Sequence, residues 1–376
     1  MSSQPNHRGV LVLGTGLIAQ ELATAYRHLG WNPTTVPYVS EVETLSNWSH
    51  VAVADPDIDT AALQELTEQA QRESAQDSGV VIDADGTIEG NAEALGGPRV
   101  VPSVRTCMMT ADRAALRATA DDELGLPTLA HELVLDAGEV DDAADRIGFP
   151  LVIKPRHGSE QNIVETPDEL AEADLLNPFA EDGVVLERYI DFDYEVTILT
   201  ARSVDPKTGE LATWFCEPIG TRHVAGKLVE SWQPAPLPDG VRDNAHSIAA
   251  RITGALESYG LFAIELFVDG EEVYFSRVLP MPGLAGMLTR ATQRLDQFAL
   301  QARAAMHLPI DVTLISPGAS QLVRHVAATP DHLAKAMAVE ETSVQVVGEN
   351  VLVHCTGESV EEARARAARA AAALEK

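Results

Sequence analysis

Short apolar runs recur along the chain, divided by turns rich in glycine and proline and by segments whose apolar residues fall three and four apart. The first run covers 10–13. Gly14-Thr15-Gly16 follows at once, and 21–29 then has helical spacing up to Gly30. Strand, glycine turn and helix in that order open a parallel α/β domain. Residues 33–39, 51–53 and 79–82 read as further strands and 61–73 as a helix. Gly96-Gly97-Pro98 closes this parallel α/β unit, giving a first domain over 1–98.

A second region follows, over 99–310. Residues 149–155 form an apolar strand that nevertheless carries Lys154, and a cation there needs an anion or acceptor. Runs at 184–189 and 191–197, a helix at 244–259 and a helix at 288–307 complete the pattern. Two strands, 262–268 and 272–278, flank Asp269-Gly270, a strong hairpin signal. Glu265 is the one charge in the first of these strands, and its apolar neighbours on both faces leave it no polar side. A small last domain covers 311–376 and ends in an alanine-rich helix with Glu–Arg pairing.

A chain of 376 residues with 45% hydrophobic content fits two or three packed domains. No window approaches the apolar length of a membrane span, and the polar first residues lack the apolar core of a signal peptide. The three cysteines, Cys107, Cys216 and Cys355, have no metal spacing, which fits a reducing cytoplasm. A formal net charge of −30 argues against nucleic acid and anionic membranes as partners. It also means that any site for an anion must gather its own cations.

Gly14-x-Gly16-x-x-Ala19 permits a dinucleotide site. A nicotinamide cofactor would call for an acidic residue closing the next strand, whereas the first acid, Glu41, falls beyond it. A Rossmann-type oxidoreductase is therefore a remote alternative.

The hairpin with its trailing Phe275-Ser276-x-Val278-x-Pro280-x-Pro282, the Lys154 strand, and Glu230-Ser231-Trp232-Gln233-Pro234 together resemble the ATP-grasp enzymes. The match is closest to the formate-dependent phosphoribosylglycinamide formyltransferases of purine biosynthesis and covers nearly the whole chain. The resemblance implies a three-domain α/β ATP-grasp architecture with a Rossmann-like N-terminal domain. It implies ATP, ADP or AMP as the small-molecule partner, with Arg105 and Lys154 at the phosphates, Glu187 beside adenine and Glu195 at the ribose. Gly14, Gly16, Asp83, Glu230 and Ser231 become candidates for the substrate site. A cytoplasmic homodimer is implied as well.

The departures from the family pattern cluster at the reacting end. Glu265 matches the first of two glutamates that hold magnesium, but the second falls on Arg277, which cannot bind a metal. The loop 156–161 has one glycine and carries Glu160 where a flexible phosphate lid is expected. Leu17 stands in place of a substrate-binding glutamate, Met281 in place of an arginine, and cations expected near Glu349 are missing. Magnesium is thus not expected to assist binding. The reading is a divergent formyltransferase-like protein that keeps its nucleotide but has weak or no normal turnover. An active carboxylate–amine ligase with an altered substrate is the alternative. A shared site requires Glu265 and Arg277 on one face, and both numbers are odd, so the expected hairpin loop has three residues, 269–271.

Overall fold

The computed structural model describes residues 9–78, 99–158, 161–172, 182–224 and 226–375. The strand expected over 79–82, the candidate Asp83 and the loop residue Glu160 lie outside the described residues. Three sheets organise the chain.

The first sheet holds β1 (Gly9–Leu13), β2 (Asn32–Val36), β3 (His50–Val53) and β4 (Arg99–Val101), all parallel in the order β2-β1-β3-β4. β1 is buried on both faces, as a central parallel strand must be. The helix Gly16–His28 buries Ala19, Leu22, Ala23 and Tyr26, spaced three and four apart. That stripe packs against β1 and against Phe298 and Ala302 of the helix Gln297–Ala305.

The second sheet is antiparallel. It holds β5 (His131–Val134), β6 (Leu151–Pro155), β7 (Asn162–Val164) and β8 (Val184–Arg188), in the order β5-β8-β6-β7. The helix Val140–Ile147 covers one face, where Val140, Ala143 and Ala144 meet Leu151, Ile153 and Leu186. Alternation along the strands turns Val152, Lys154 and Glu187 to the other face.

The third sheet has nine strands: β9 (Tyr194–Val204), β10 (Leu211–Phe215), β11 (Ile219–Val224), β12 (Lys227–Gln233), β13 (Gly260–Asp269), β14 (Glu272–Leu279), β15 (Gly318–Val323), β16 (Thr342–Val347) and β17 (Asn350–Thr356). The order is β14-β13-β9-β11-β12-β15-β17-β16, with β10 also on β9. Strands from 311–376 thus extend the same sheet, through the pairing of β12 with β15.

The two faces of β13 serve different ends. Phe262, Ile264, Leu266 and Val268 face the helix Asp239–Ala255 and are fully buried. Each contributes roughly 1.5–3 kcal/mol by leaving water. The odd positions behave differently along the strand. Leu261 pairs with Ala201 and Ala263 with Leu199 beneath the helix Gln297–Ala305. Beyond that helix the same face continues as Glu265 and Phe267, opposite Thr197 and Glu195 of β9, where it lines a cleft. The sheet is therefore core at one end and binding surface at the other.

The hairpin loop differs from the expected one. Asp269 pairs with Glu272, leaving the two-residue turn Gly270-Glu271, with Gly270 at φ 59°. Glycine at positive φ in the first turn position is the type II′ arrangement, which matches strand twist. Such a turn alone would place Glu265 and Arg277 on opposite faces. A register shift between Glu265 and Leu266 corrects this: Leu266 pairs with Phe275 and Glu265 with Arg277, leaving Ser276 as the extra residue of a bulge.

The helix expected over 288–307 is also broken, into Thr289–Thr292 and Gln297–Ala305. Asp296 caps the second piece by accepting from the Ala299 amide. Among the described residues no helix is long and apolar enough to cross a membrane.

Candidate functional site

The open face of the second sheet lies opposite the end of β13 and β9, and a cleft of about 770 Å3 runs between them. That is the size range of small-molecule sites. Its apolar lining includes Val152, Ile190 and Phe192, and Phe192 stacks on Phe267 with ring centroids 4.6 Å apart. Lys154, Glu187, Glu195, Glu265 and Arg277, all expected at a site from sequence, border this one cleft.

Lys154 and Glu187 sit on adjacent strands, and Lys154 Nζ lies 2.5 Å from Glu187 Oε2. A third group joins them that the sequence pattern does not single out. Arg117 donates from Nε and Nη2 to Glu187 Oε1, at 3.0 and 2.8 Å, and from Nη1 to the Phe275 carbonyl at 2.7 Å. It is 1% exposed. Burial pushes the Glu187 carboxyl up, but the two cations outweigh it and hold the group at about 2. Burial lowers Lys154, an effect the Glu187 charge opposes. Two buried cations share one carboxylate, so the cluster keeps a positive balance toward the cleft.

Arg113, one helical turn before Arg117, is another residue that sequence reasoning misses. It lines the cleft and donates to the carbonyls of Pro155 and Gly158 at 3.1 and 3.0 Å. Burial lowers its pKa first, and the charge of Arg277 and of Arg117 works the same way. The available signal is two arginines four residues apart, hence on one helix face, in a strongly acidic chain.

The start of the glycine loop is fastened down. Arg156 makes a two-pronged pair with Asp112, its shortest contact 2.7 Å. His157 Nδ1 lies 3.0 Å from the Ala111 carbonyl. Arg156 and His157 are thereby directed to Asp112 and Ala111.

At the far end, Arg277 Nε donates to Glu265 Oε2 at 2.8 Å and Nη2 to Oε1 at 3.0 Å. The Glu265 charge raises the Arg277 pKa above its ordinary value, against the opposing effect of burial. The donor set does not suit a divalent cation. Glu265 already has both oxygens on a guanidinium, and among the described residues no group of three or more His, Cys, Asp or Glu is placed to hold a metal. Glu195 has a partner that its sequence neighbours do not reveal: His223 Nδ1 lies 2.6 Å from its Oε2. Thr221 of β11 pairs with Glu195, and His223, two residues further on, returns by alternation to the same face and the cleft.

Other candidates lie elsewhere. Arg105 is exposed, pairs with Glu257 at 3.0 Å, and borders a separate surface depression. Glu230 is 5% exposed and gives both oxygens to Arg364 and Arg222, and Arg364 stacks 4.1 Å above the Trp232 ring. Burial raises its carboxyl and the two arginines more than reverse the shift. Glu230 thus ties the last helix to β12, and neither it nor the buried Ser231 is among the residues lining the cleft.

Gly14 and Gly16 adopt φ of 134° and 74°. A Cβ at Gly14 would come within 3.1 Å of Ala54 and Asp55, so the turn requires glycine for its own packing. Asp55 borders a further cavity of about 640 Å3, which meets the cleft at Arg113, Ser276 and Arg277. Met281 is 2% exposed and packs with Leu11, Leu13 and Val53 of the first sheet.

Residues 119–298 match the family model described as ATP-grasp domain. The formate-dependent phosphoribosylglycinamide formyltransferase of Corynebacterium efficiens is 38% identical, with 98% of this chain and 96% of that protein covered. The protein of the same description from Rhodococcus jostii is 37% identical, with 97% and 94% covered. Among solved structures, glycinamide-RNase-transformylase T from Mycobacterium tuberculosis superposes with a TM-score of 0.78 at 30% identity, over 98% of this chain and 100% of that one. N5-carboxyaminoimidazole ribonucleotide synthetase from Thermus thermophilus shares the fold, with a TM-score of 0.78 at 22% identity over 98% and 99%.

Proposed function

The chain belongs to the family of formate-dependent phosphoribosylglycinamide formyltransferases, and from that premise we propose that it binds an adenine nucleotide in the cleft without performing normal formyl transfer. The single observation that carries this reading is the Glu265–Arg277 ion pair. It occupies the hairpin where the resemblance calls for two magnesium carboxylates. A fixed guanidinium can neutralise phosphate charge, but it cannot bridge phosphates and carboxylates as a metal does. No step through magnesium is therefore derived.

In this reading the base stacks among the apolar groups of the cleft and Glu195 meets the ribose. Lys154 and Arg113 face the phosphates, in place of Arg105. The missing lid removes what normally closes on the terminal phosphate. The reading includes a homodimer in the cytoplasm, by resemblance alone.

A second reading is an ATP-grasp ligase with an altered substrate. What favours it is the joint replacement, by the resemblance, of a glutamate by Leu17 and of an arginine by Met281, which alters the substrate side more than a simple loss would. A coupled assay of ADP release with formate and glycinamide ribonucleotide tests the proposal. No release above background is expected. Turnover at the rate ordinary for enzymes, ~10 per second, would defeat it.

A further inference from the structure

Beside the cleft lies a smaller cavity of about 280 Å3, and His223, Gly226, Glu265 and Arg277 border both. One wall is hydrocarbon: Leu228, Ala263, Leu279 and Leu284. The loop that carries Leu284 is preformed. Met281 anchors it in the core of the first sheet, while the Gln297 side chain bonds both the amide of Gly283, at 3.0 Å, and its carbonyl, at 2.9 Å.

The charges of this cavity do not balance. Glu265 and Arg277 offset each other, and His223 is held by Glu195. Two further cations, Arg324 and Lys227, border it, and among the described residues no carboxylate forms an ion pair with either. Arg324 Nη2 donates to the Leu228 carbonyl at 3.2 Å, but its Nε is buried with no hydrogen-bond partner. A buried guanidinium donor left unpaired is costly. In a chain with 57 acidic and 27 basic residues, two cations without acids mark a place kept for an external anion.

We propose that this cavity binds a small carboxylic acid with an apolar body. The carboxylate meets Arg324 and Lys227, and the hydrocarbon lies against Leu228, Leu279 and Leu284. A guanidinium fork suits a carboxylate. A sugar phosphate fits poorly, because its hydroxyls would be buried against hydrocarbon without partners. The inference rests on the reading that the neighbouring cleft takes an adenine nucleotide, since the shared border at Glu265 and Arg277 then sets the acid beside the phosphate end.

The test is calorimetric titration of the full chain with 3-methylbutanoate, 3-methylbutanol and inorganic phosphate, each without nucleotide. The acid is expected to bind, the alcohol not to bind, and phosphate to bind about tenfold more weakly or worse. Arg324→Leu should weaken the acid by about tenfold or more, with Arg324→Lys recovering part of the loss. Thermal unfolding checks that the variants are folded, and Lys227→Ala, at an exposed site, decides the matter if Arg324→Leu is not. Absence of acid binding, equal binding of phosphate, or acid binding unchanged in a folded Arg324→Leu and in Lys227→Ala overturns the proposal. ADP is titrated in parallel. A chain that binds ADP and no acid overturns this site alone, while one that binds the acid and no ADP upholds the site and overturns the reading beneath it.

Discussion

Arg277 meets Glu265 through two hydrogen bonds, at 2.8 and 3.0 Å, because a bulge at Ser276 brings two residues of one hairpin to the same face. The guanidinium fills both carboxylate oxygens, so the pair satisfies itself without an added ion. Arg277→Glu places two carboxylates there instead. Like charges directly opposite on a sheet repel, and the variant should unfold at a lower temperature than the parent. Manganese or magnesium should restore it, by roughly 2.7 kcal/mol at a hundred times the dissociation constant. Thermal unfolding with and without the metals checks this, and a variant that gains nothing from either would count against the pairing as a metal substitute.

Glu187 is the shared partner of two buried cations. Glu187→Gln leaves Arg117 and Lys154 facing each other with no carboxylate, at a cost of about 3–5 kcal/mol. In a Lys154→Met background the same change should cost less, since one of the stranded charges is gone. Urea unfolding of the four proteins gives the coupling. Equal losses in both backgrounds would show that Lys154 is not coupled to Glu187.

Much of this arrangement is legible in the residues. Lys154 in an apolar strand and Glu265 in another announce buried charge, and both reach the cleft. The glycine turn and the parallel sheet after it follow from alternation and spacing alone. For the hairpin, parity gives the right outcome from the wrong cause. It requires one extra residue between Glu265 and Arg277, but a three-residue loop and a two-residue loop with a bulge supply it equally. In the structure the bulge supplies it, next to Phe275, which packs in one core cluster with residues of the helix Asp239–Ala255. Arg113 and Arg117 escape notice because an arginine on a helix is ordinarily solvated, whereas here Arg117 is buried against Glu187 and Phe275 and Arg113 borders the cleft. Arg105 matches a phosphate ligand by local likeness, but the chain path takes it to Glu257 instead.

His354, on β17, is 3% exposed, and among the described residues neither ring nitrogen has a hydrogen-bond partner. Burial lowers its pKa to about 4, with the charge of Arg290 adding to the effect. The unfolded chain takes up this proton near the ordinary value of 6.5, so stability falls as pH drops from there toward 4. The loss is about 1.4 kcal/mol per pH unit for one proton. His354→Gln removes that proton, and its stability should change less steeply over the same window. Unfolding free energies at several pH values decide it. Parallel curves for the two proteins would mean that His354 does not carry the dependence.

The central claim is that the nucleotide site has lost its metal-dependent end, with Arg277 fixed on Glu265 and with Arg156 and His157 turned to Asp112 and Ala111. Calorimetric titration with ATP, ADP and AMP, each with and without magnesium, tests it most directly. The account predicts that ADP or AMP binds at least as tightly as ATP and that magnesium leaves all three nearly unchanged. A strong preference for ATP that appears only with magnesium would contradict it.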